Sequence, residues 1–179
     1  MTRLEPLPPD RWGDDAMAAL RAAFPEDVVE RFRSGNAPTA ITTMLHHPAL
    51  ARPWLSYNNV LLWSPALDPR LRELMVLRVA HRTRSEYEWV QHVKLSERYG
   101  VTSDDVEAVR TGLDRWTPLE RDLLAATDQL IDGYRIDDDT WGRLADQLDE
   151  RQLVEVVFVV GTYTCLAMAF NSFGLHPPA

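Results

Sequence analysis

The sequence predicts an all-α protein, a multi-helix bundle built around an antiparallel helix pair. Apolar residues recur at three- and four-residue spacings, and no stretch alternates convincingly at period two. Helix start signals recur along the chain, at Asp68-Pro69, at Thr117-Pro118-Leu119-Glu120 and at Asp149-Glu150-Arg151-Gln152. The longest apolar run, residues 153–173, is far too long for a strand.

Residues 1–9 are proline-rich and predict an extended arm, packed along a neighbour or frayed. A first helix is expected over residues 10–24, closed by Pro25, with a short helix over 28–32. Ser34-Gly35-Asn36 reads as a break, and Pro38 starts a helix carrying Ile41, Met44 and Leu45. His46-His47-Pro48 marks a junction. Adjacent histidines before a proline predict a cap and a surface side chain, because sequence neighbours rarely face one metal ion together. Residues 48–63 form the next helix, with Trp54 and Tyr57 expected in the core.

Asp68 caps a helix whose first residue is Pro69: the carboxylate accepts from an orphan amide, and proline lacks the amide that would be orphaned. From Leu71 to Ala80 this helix is apolar on nearly every side, with Glu73 and Arg78 as exceptions, so it belongs inside a bundle. Most of Arg70, Arg72, Arg78, Arg82 and Arg84 are expected on a solvated face; Arg78, within the apolar run, is expected to point at an anionic group. A polar turn leads to a second helix over residues 86–99. Thr102 and Ser103 cap a short helix, Thr117 opens one that runs to about residue 131, and Asp137 to Asp139 start another through Trp141 and Leu144. Those aspartates lack the alternating ligand spacing of a calcium loop and read as helix N-terminal charge.

In 179 residues there is material for one domain with a real core, expected to span the whole chain. The net charge of −8 and pI near 5.1 argue against nucleic-acid phosphates or an anionic membrane surface as partners. The single cysteine, Cys165, excludes an internal disulfide and is expected as a small packed hydrophobe in its helix. MTRLEPLPPD carries no apolar signal segment, so a cytoplasmic protein is expected. Glu155, Thr162, Tyr163, Thr164 and Asn171 interrupt the 153–173 run and basic flanks are missing, which argues against a membrane span. A helix apolar all round fits a bundle centre or a subunit interface.

The chemistry gathers on the helix over residues 86–99. Projected at about 100° per residue with Glu88 at zero, His92 falls near +40°, Leu95 near −20° and Tyr99 near +20°. A carboxylate and an imidazole one turn apart thus lie in the apolar stripe, where they must be hydrogen-bonded, paired or beside a water-filled pocket. Two readings follow: Glu88 and His92 satisfy each other, helped by Tyr99, or they serve proton transfer. No second His/Glu pair stands at matching spacing, so no metal is expected.

RELMVLRVA, EYEWVQH and ERYGVTSDDVEAV together resemble the carboxymuconolactone decarboxylase family, in the superfamily that includes the alkylhydroperoxidase D type. The resemblance extends from Leu45-His46-His47-Pro48 to VGTYTCLAMAFNSFG. It implies the alkylhydroperoxidase D-like bundle, a homo-oligomer (dimer, trimer or hexamer), a small-molecule substrate and no cofactor. Where the peroxidase branch has C-x-x-C-x-x-x-H, this chain has Ser85, Glu88 and His92, and the relay glutamate falls on Glu73. Without either cysteine there is no peroxidatic or resolving thiol. The resemblance then implies an acid–base lyase or decarboxylase acting on a small carboxylated or lactone-like substrate. His92, Glu88 and Glu73 are its catalytic candidates, with Arg78 for a substrate carboxylate and Trp89, Tyr99 and Ser85 for the pocket. An antioxidant protein and a non-catalytic oligomeric binding protein are the alternatives.

Overall fold

A computed structural model describes residues 1–63 and 65–177, and the described residues contain helices and no strand. They form two compact units, one of residues 1–63 with 173–175, the other of residues 65–172 with 176 and 177.

The first unit carries α1 (Asp14–Arg21), α2 (Glu26–Arg31), α3 (Thr39–Met44) and α4 (Pro48–Trp63). The expected first helix is split. A single 3-10 turn at Pro9–Arg11 precedes α1, because Gly13 sits extended at φ −75°, ψ 179°. Ser34-Gly35-Asn36 breaks the chain as expected, with Gly35 at φ 96°. The N-terminal arm is pinned rather than frayed. The Leu7 amide donates to the Thr42 carbonyl, Trp12 Nε1 to the Leu7 carbonyl, and His46 Nε2 lies 2.8 Å from the Glu5 carbonyl. His47 Nδ1 accepts from the Leu50 amide, the capping role read for the pair. Leu20, Val29, Leu45, Ala51 and Leu55 form this unit's core, with Trp54 packed against it; Tyr57 is exposed, contrary to expectation.

The second unit carries α5 (Pro69–Thr83), α6 (Glu86–Ser96), α7 (Ser103–Thr111), α8 (Pro118–Gly133), α9 (Asp138–Ala145) and α10 (Glu150–Phe173). Helix α5 is its axis: α6, α7 and α8 all pack on it, and its residues 72–77, 79 and 80 are buried. Its start is the one read from sequence, with the Asp68 carboxylate accepting from the Arg70 amide at 2.8 Å. Reciprocal capping boxes open α7 at Thr102/Asp105 and α8 at Thr117/Glu120. Leu74, Leu77, Val101, Val109 and Leu124 form the core, flanked by Trp89, Val93, Val106 and Trp116.

Helix α10 is long and apolar enough to cross a bilayer, at mean hydropathy 2.0 over 18 residues, and half of that window is buried in the protein. Its inner face carries Tyr163 and Glu155, whose carboxylate accepts from the Leu67 amide. Its outer face, expected to be packed, exposes Val154, Met168 and Cys165. Cys165 is therefore no core hydrophobe: with 3.6 residues per turn it falls opposite Tyr163.

Candidate functional site

The loop from α5 into α6 is a two-bond helix ending. The Ser85 amide donates to the Ala80 carbonyl and the Arg84 amide to the His81 carbonyl, with Arg84 left-handed at φ 55°, ψ 36°. That bonding pattern normally places glycine at the left-handed position. It turns the chain back at once, so that α6 returns along α5 and Glu73 comes to face His92.

Glu73 is fully buried. Its Oε1 accepts from Arg72 Nε at 2.9 Å and from Arg72 Nη2 at 2.7 Å, and its Oε2 lies 2.7 Å from His92 Nδ1. Burial works to raise the Glu73 pKa. The hydrogen bond to His92 and the His92 and Arg72 charges outweigh it and hold the carboxyl below its ordinary range. An ionised Glu73 has only lone pairs to offer, so His92 Nδ1 carries the shared proton and Nε2 is the nitrogen left for chemistry. Tyr163 of α10 meets the His92 ring edge-on, with centroids 4.9 Å apart at 89°. Burial first, then the Glu73 charge, pushes the Tyr163 phenol far up, so it stays protonated.

Glu88 lies one turn before His92 and is 2 % exposed. Neither of its oxygens makes a hydrogen bond of ordinary geometry among the described residues, and nor does the Ser85 hydroxyl. Burial pushes the Glu88 carboxyl up to about 8, which the nearby Ser85 hydroxyl lowers slightly. Glu88 is thus a neutral acid at pH 7, and mutual satisfaction of Glu88 and His92 is not what the structure holds.

The remaining candidates separate. Ser85 and Trp89 stand in the wall of a cavity of about 660 Å³, together with Ala80, His81, Arg82, Arg84, Glu86 and Arg110. His92, Glu88 and Tyr99 are not on that wall. Tyr99 instead covers the Arg72 guanidinium, 5.1 Å from its ring centroid. Arg78, expected at a substrate carboxylate, faces an anion of the chain itself: it forks onto Asp128 at 2.8 and 2.7 Å and donates to the Val109 carbonyl. Its donors are engaged by the protein, so it does not serve the cavity. Arg72, expected with its neighbours on a solvated face, is wholly buried. Sequence reasoning passed over it although it adjoins Glu73 in an otherwise apolar helix, the one signal that a charge there needs an internal partner. No cluster of three or more metal-ligating side chains occurs among the described residues.

Residues 48–129, which include α5, α6 and the whole Arg72–Glu73–His92 arrangement, match the carboxymuconolactone decarboxylase family. That match supports the resemblance to the carboxymuconolactone decarboxylase/AhpD-like superfamily. No curated protein matches it in sequence. Among solved structures, the fold is similar to that of an uncharacterized peroxidase-related protein from Silicibacter sp. TM1040, with TM-score 0.81, 14% identity, and 99% of this chain and 92% of that one covered. A second, described as an alkylhydroperoxidase AhpD core from Ralstonia eutropha JMP134, has TM-score 0.74 and 17% identity over 90% of this chain and 88% of that one. A third, the debrominase Bmp8 in complex with 2,3,4-tribromopyrrole, has TM-score 0.77 and 16% identity over 100% of this chain and 93% of that one. Similarity at these identities shows a shared all-α fold.

Proposed function

We propose that this protein is a cofactor-independent acid–base enzyme, a lyase or decarboxylase acting on a small carboxylated or lactone-like substrate. One observation carries the reading: a buried, ionised Glu73 orients His92 through Nδ1, while a second buried carboxyl, Glu88, stays protonated one turn away. Two carboxyls with pKa values driven apart around one imidazole form an acid–base set. Glu73 fixes the tautomer and stabilises the imidazolium when Nε2 takes a proton, as the buried aspartate does in a hydrolase triad.

In the decarboxylation, the carbon–carboxylate bond breaks and carbon dioxide leaves. The electron pair remains on carbon, delocalised toward the substrate carbonyl, and a proton from the Glu88 carboxyl, or from His92 Nε2 once it has taken one, completes the product. Solvent then restores that proton. Such positioned proton transfer contributes about 10²–10⁴-fold. Ser85 and Glu88 at the two cysteine positions leave the site without a thiolate, which disfavours a hydroperoxidase. A non-catalytic binding role is the remaining alternative.

The test is carbon dioxide release and proton–deuterium exchange, followed by NMR, on 4-carboxymuconolactone and simpler lactone acids. Turnover is expected, falling about 10²-fold or more in folded His92→Ala and Glu88→Gln. Full activity in both variants, or neither reaction on any of these substrates, would remove the assignment.

A further inference from the structure

We infer that the cavity at the α5–α6 turn is a binding site for a small organic carboxylate with a flat apolar body, its anionic end held by Arg84 and Arg110. The identification of that ligand as the substrate rests on the proposed reaction; the binding itself does not.

Several arginines of this unit are already committed to acids of the chain. Arg82, on the cavity wall, is engaged by Asp128 and Asp132. Arg78 is engaged by Asp128 and Val109, and Arg70 by Asp105 and Glu120. The Arg84 side chain makes no hydrogen bond or ion pair among the described residues. Arg110 has only Glu107 at 3.9 Å, both largely exposed, a separation too long to hold it. What fixes Arg110 is Trp89: the guanidinium carbon stands 5.9 Å from the indole centroid, which presents the guanidinium at the cavity while its N–H edge stays free.

Arg84 is also held where an arginine is disfavoured. It fills the left-handed position of the helix ending described above, and any side chain other than glycine is strained there. Among the described residues the other non-glycine at positive φ, Tyr134, is 85% exposed and stands apart from this wall. A strained residue whose side chain meets no partner among the described residues, at the mouth of a cavity, fits a role outside the chain.

A buried polar atom completes the site. Ser85 is 0% exposed and stands at the N-cap of α6, yet its hydroxyl caps no amide and makes no hydrogen bond of ordinary geometry among the described residues. The same hydroxyl lies beside Glu88, so a ligand reaching Ser85 adjoins the acid of the proposed reaction. Glu86 is the one acid on the wall and is exposed, against three arginines and His81. Burial first, then Arg78, Arg110 and Arg82, hold the His81 pKa below its ordinary value, which places His81 in a positive field. Two guanidiniums, a hydroxyl donor and the Ala80 and Trp89 surfaces match a carboxylate on a planar frame. Inorganic phosphate would use the charges and leave the indole idle.

Isothermal titration with benzoate, benzamide, acetate and inorganic phosphate tests this on the intact protein. Benzoate is expected to bind at least tenfold tighter than each of the other three. Arg84→Gly is the informative variant, because glycine relieves the left-handed strain while deleting the guanidinium. It is expected to raise Tm by about 2 °C and to weaken benzoate at least tenfold, as loss of a charge-assisted hydrogen bond does. Arg110→Gln is expected to weaken benzoate similarly. Benzamide binding as well as benzoate, phosphate binding more tightly, or Arg84→Gly raising Tm with benzoate affinity unchanged would each overturn the inference. The ¹⁵N signature of His92 separates the two readings. Loss of the Nδ1–H tautomer sinks the acid–base proposal and leaves benzoate binding standing, whereas the reverse result leaves the tautomer in place.

Discussion

Replacing Glu88 by glutamine removes one ionisation and almost no volume, and its consequence for stability has a definite sign. In the unfolded chain the Glu88 carboxyl titrates near its ordinary 4.5; in the folded protein burial holds it at about 8. Below pH 4.5 both states are protonated and the group has no effect on the pH slope. Between the two values the unfolded chain releases its proton while the folded one keeps it, so stability falls as pH rises, by about 1.36 kcal/mol per pH unit. Above pH 8 the loss is complete, an upper bound of about 5 kcal/mol over that interval, and a real site that relaxes or admits water yields less. Glu88→Gln does not titrate. Its stability relative to the native protein is therefore expected to climb steadily from pH 5 to pH 8 and then level off, whatever constant offset its amide introduces. Urea unfolding at pH 5, 6, 7, 8 and 9, read as midpoint at constant m-value, measures the difference. A difference flat across that range, or one that shrinks toward pH 8, would show that Glu88 is ionised in the folded protein and refute the assignment of a neutral acid. Turnover should fall in the same variant, since glutamine offers no exchangeable acidic proton.

Arg72→Met leaves Glu73 a buried carboxylate with His92 alone. It is expected to lose about 3–5 kcal/mol in urea unfolding at pH 7, with Arg72→Lys recovering part because it keeps charge without the fork. Its Glu73 contribution has the opposite pH sense to Glu88: the depressed carboxyl stabilises at neutral pH and is lost as pH falls. Arg78→Met breaks the part-buried fork to Asp128 and is expected to lose about 1–3 kcal/mol with kcat/KM unchanged, which separates a structural arginine from one that meets substrate.

How far the sequence carried these conclusions differs from residue to residue. Helix starts were legible because their chemistry is local: Asp68 before Pro69 and Thr117 three residues before Glu120 contain both partners of the bond they form. Gly13 was missed because an extended glycine costs a helix pattern little on paper and a whole turn in three dimensions. The inward stripe of Glu88 and His92 follows from periodicity. Which carboxyl His92 takes does not, since an i,i+4 neighbour and a residue on the facing helix compete at similar range.

That choice decides the charge of the whole site. Were His92 bonded to Glu88, the Arg72–Glu73 pair would close on itself and both carboxyls would be ionised, a structural ion cluster with no acid to give. As built, Arg72 takes one oxygen of Glu73 and His92 the other, which leaves Glu88 without a counter-charge and therefore protonated. The buried arginine, the residue least like a catalyst in the sequence, is what lets one carboxyl remain a base partner and the other an acid.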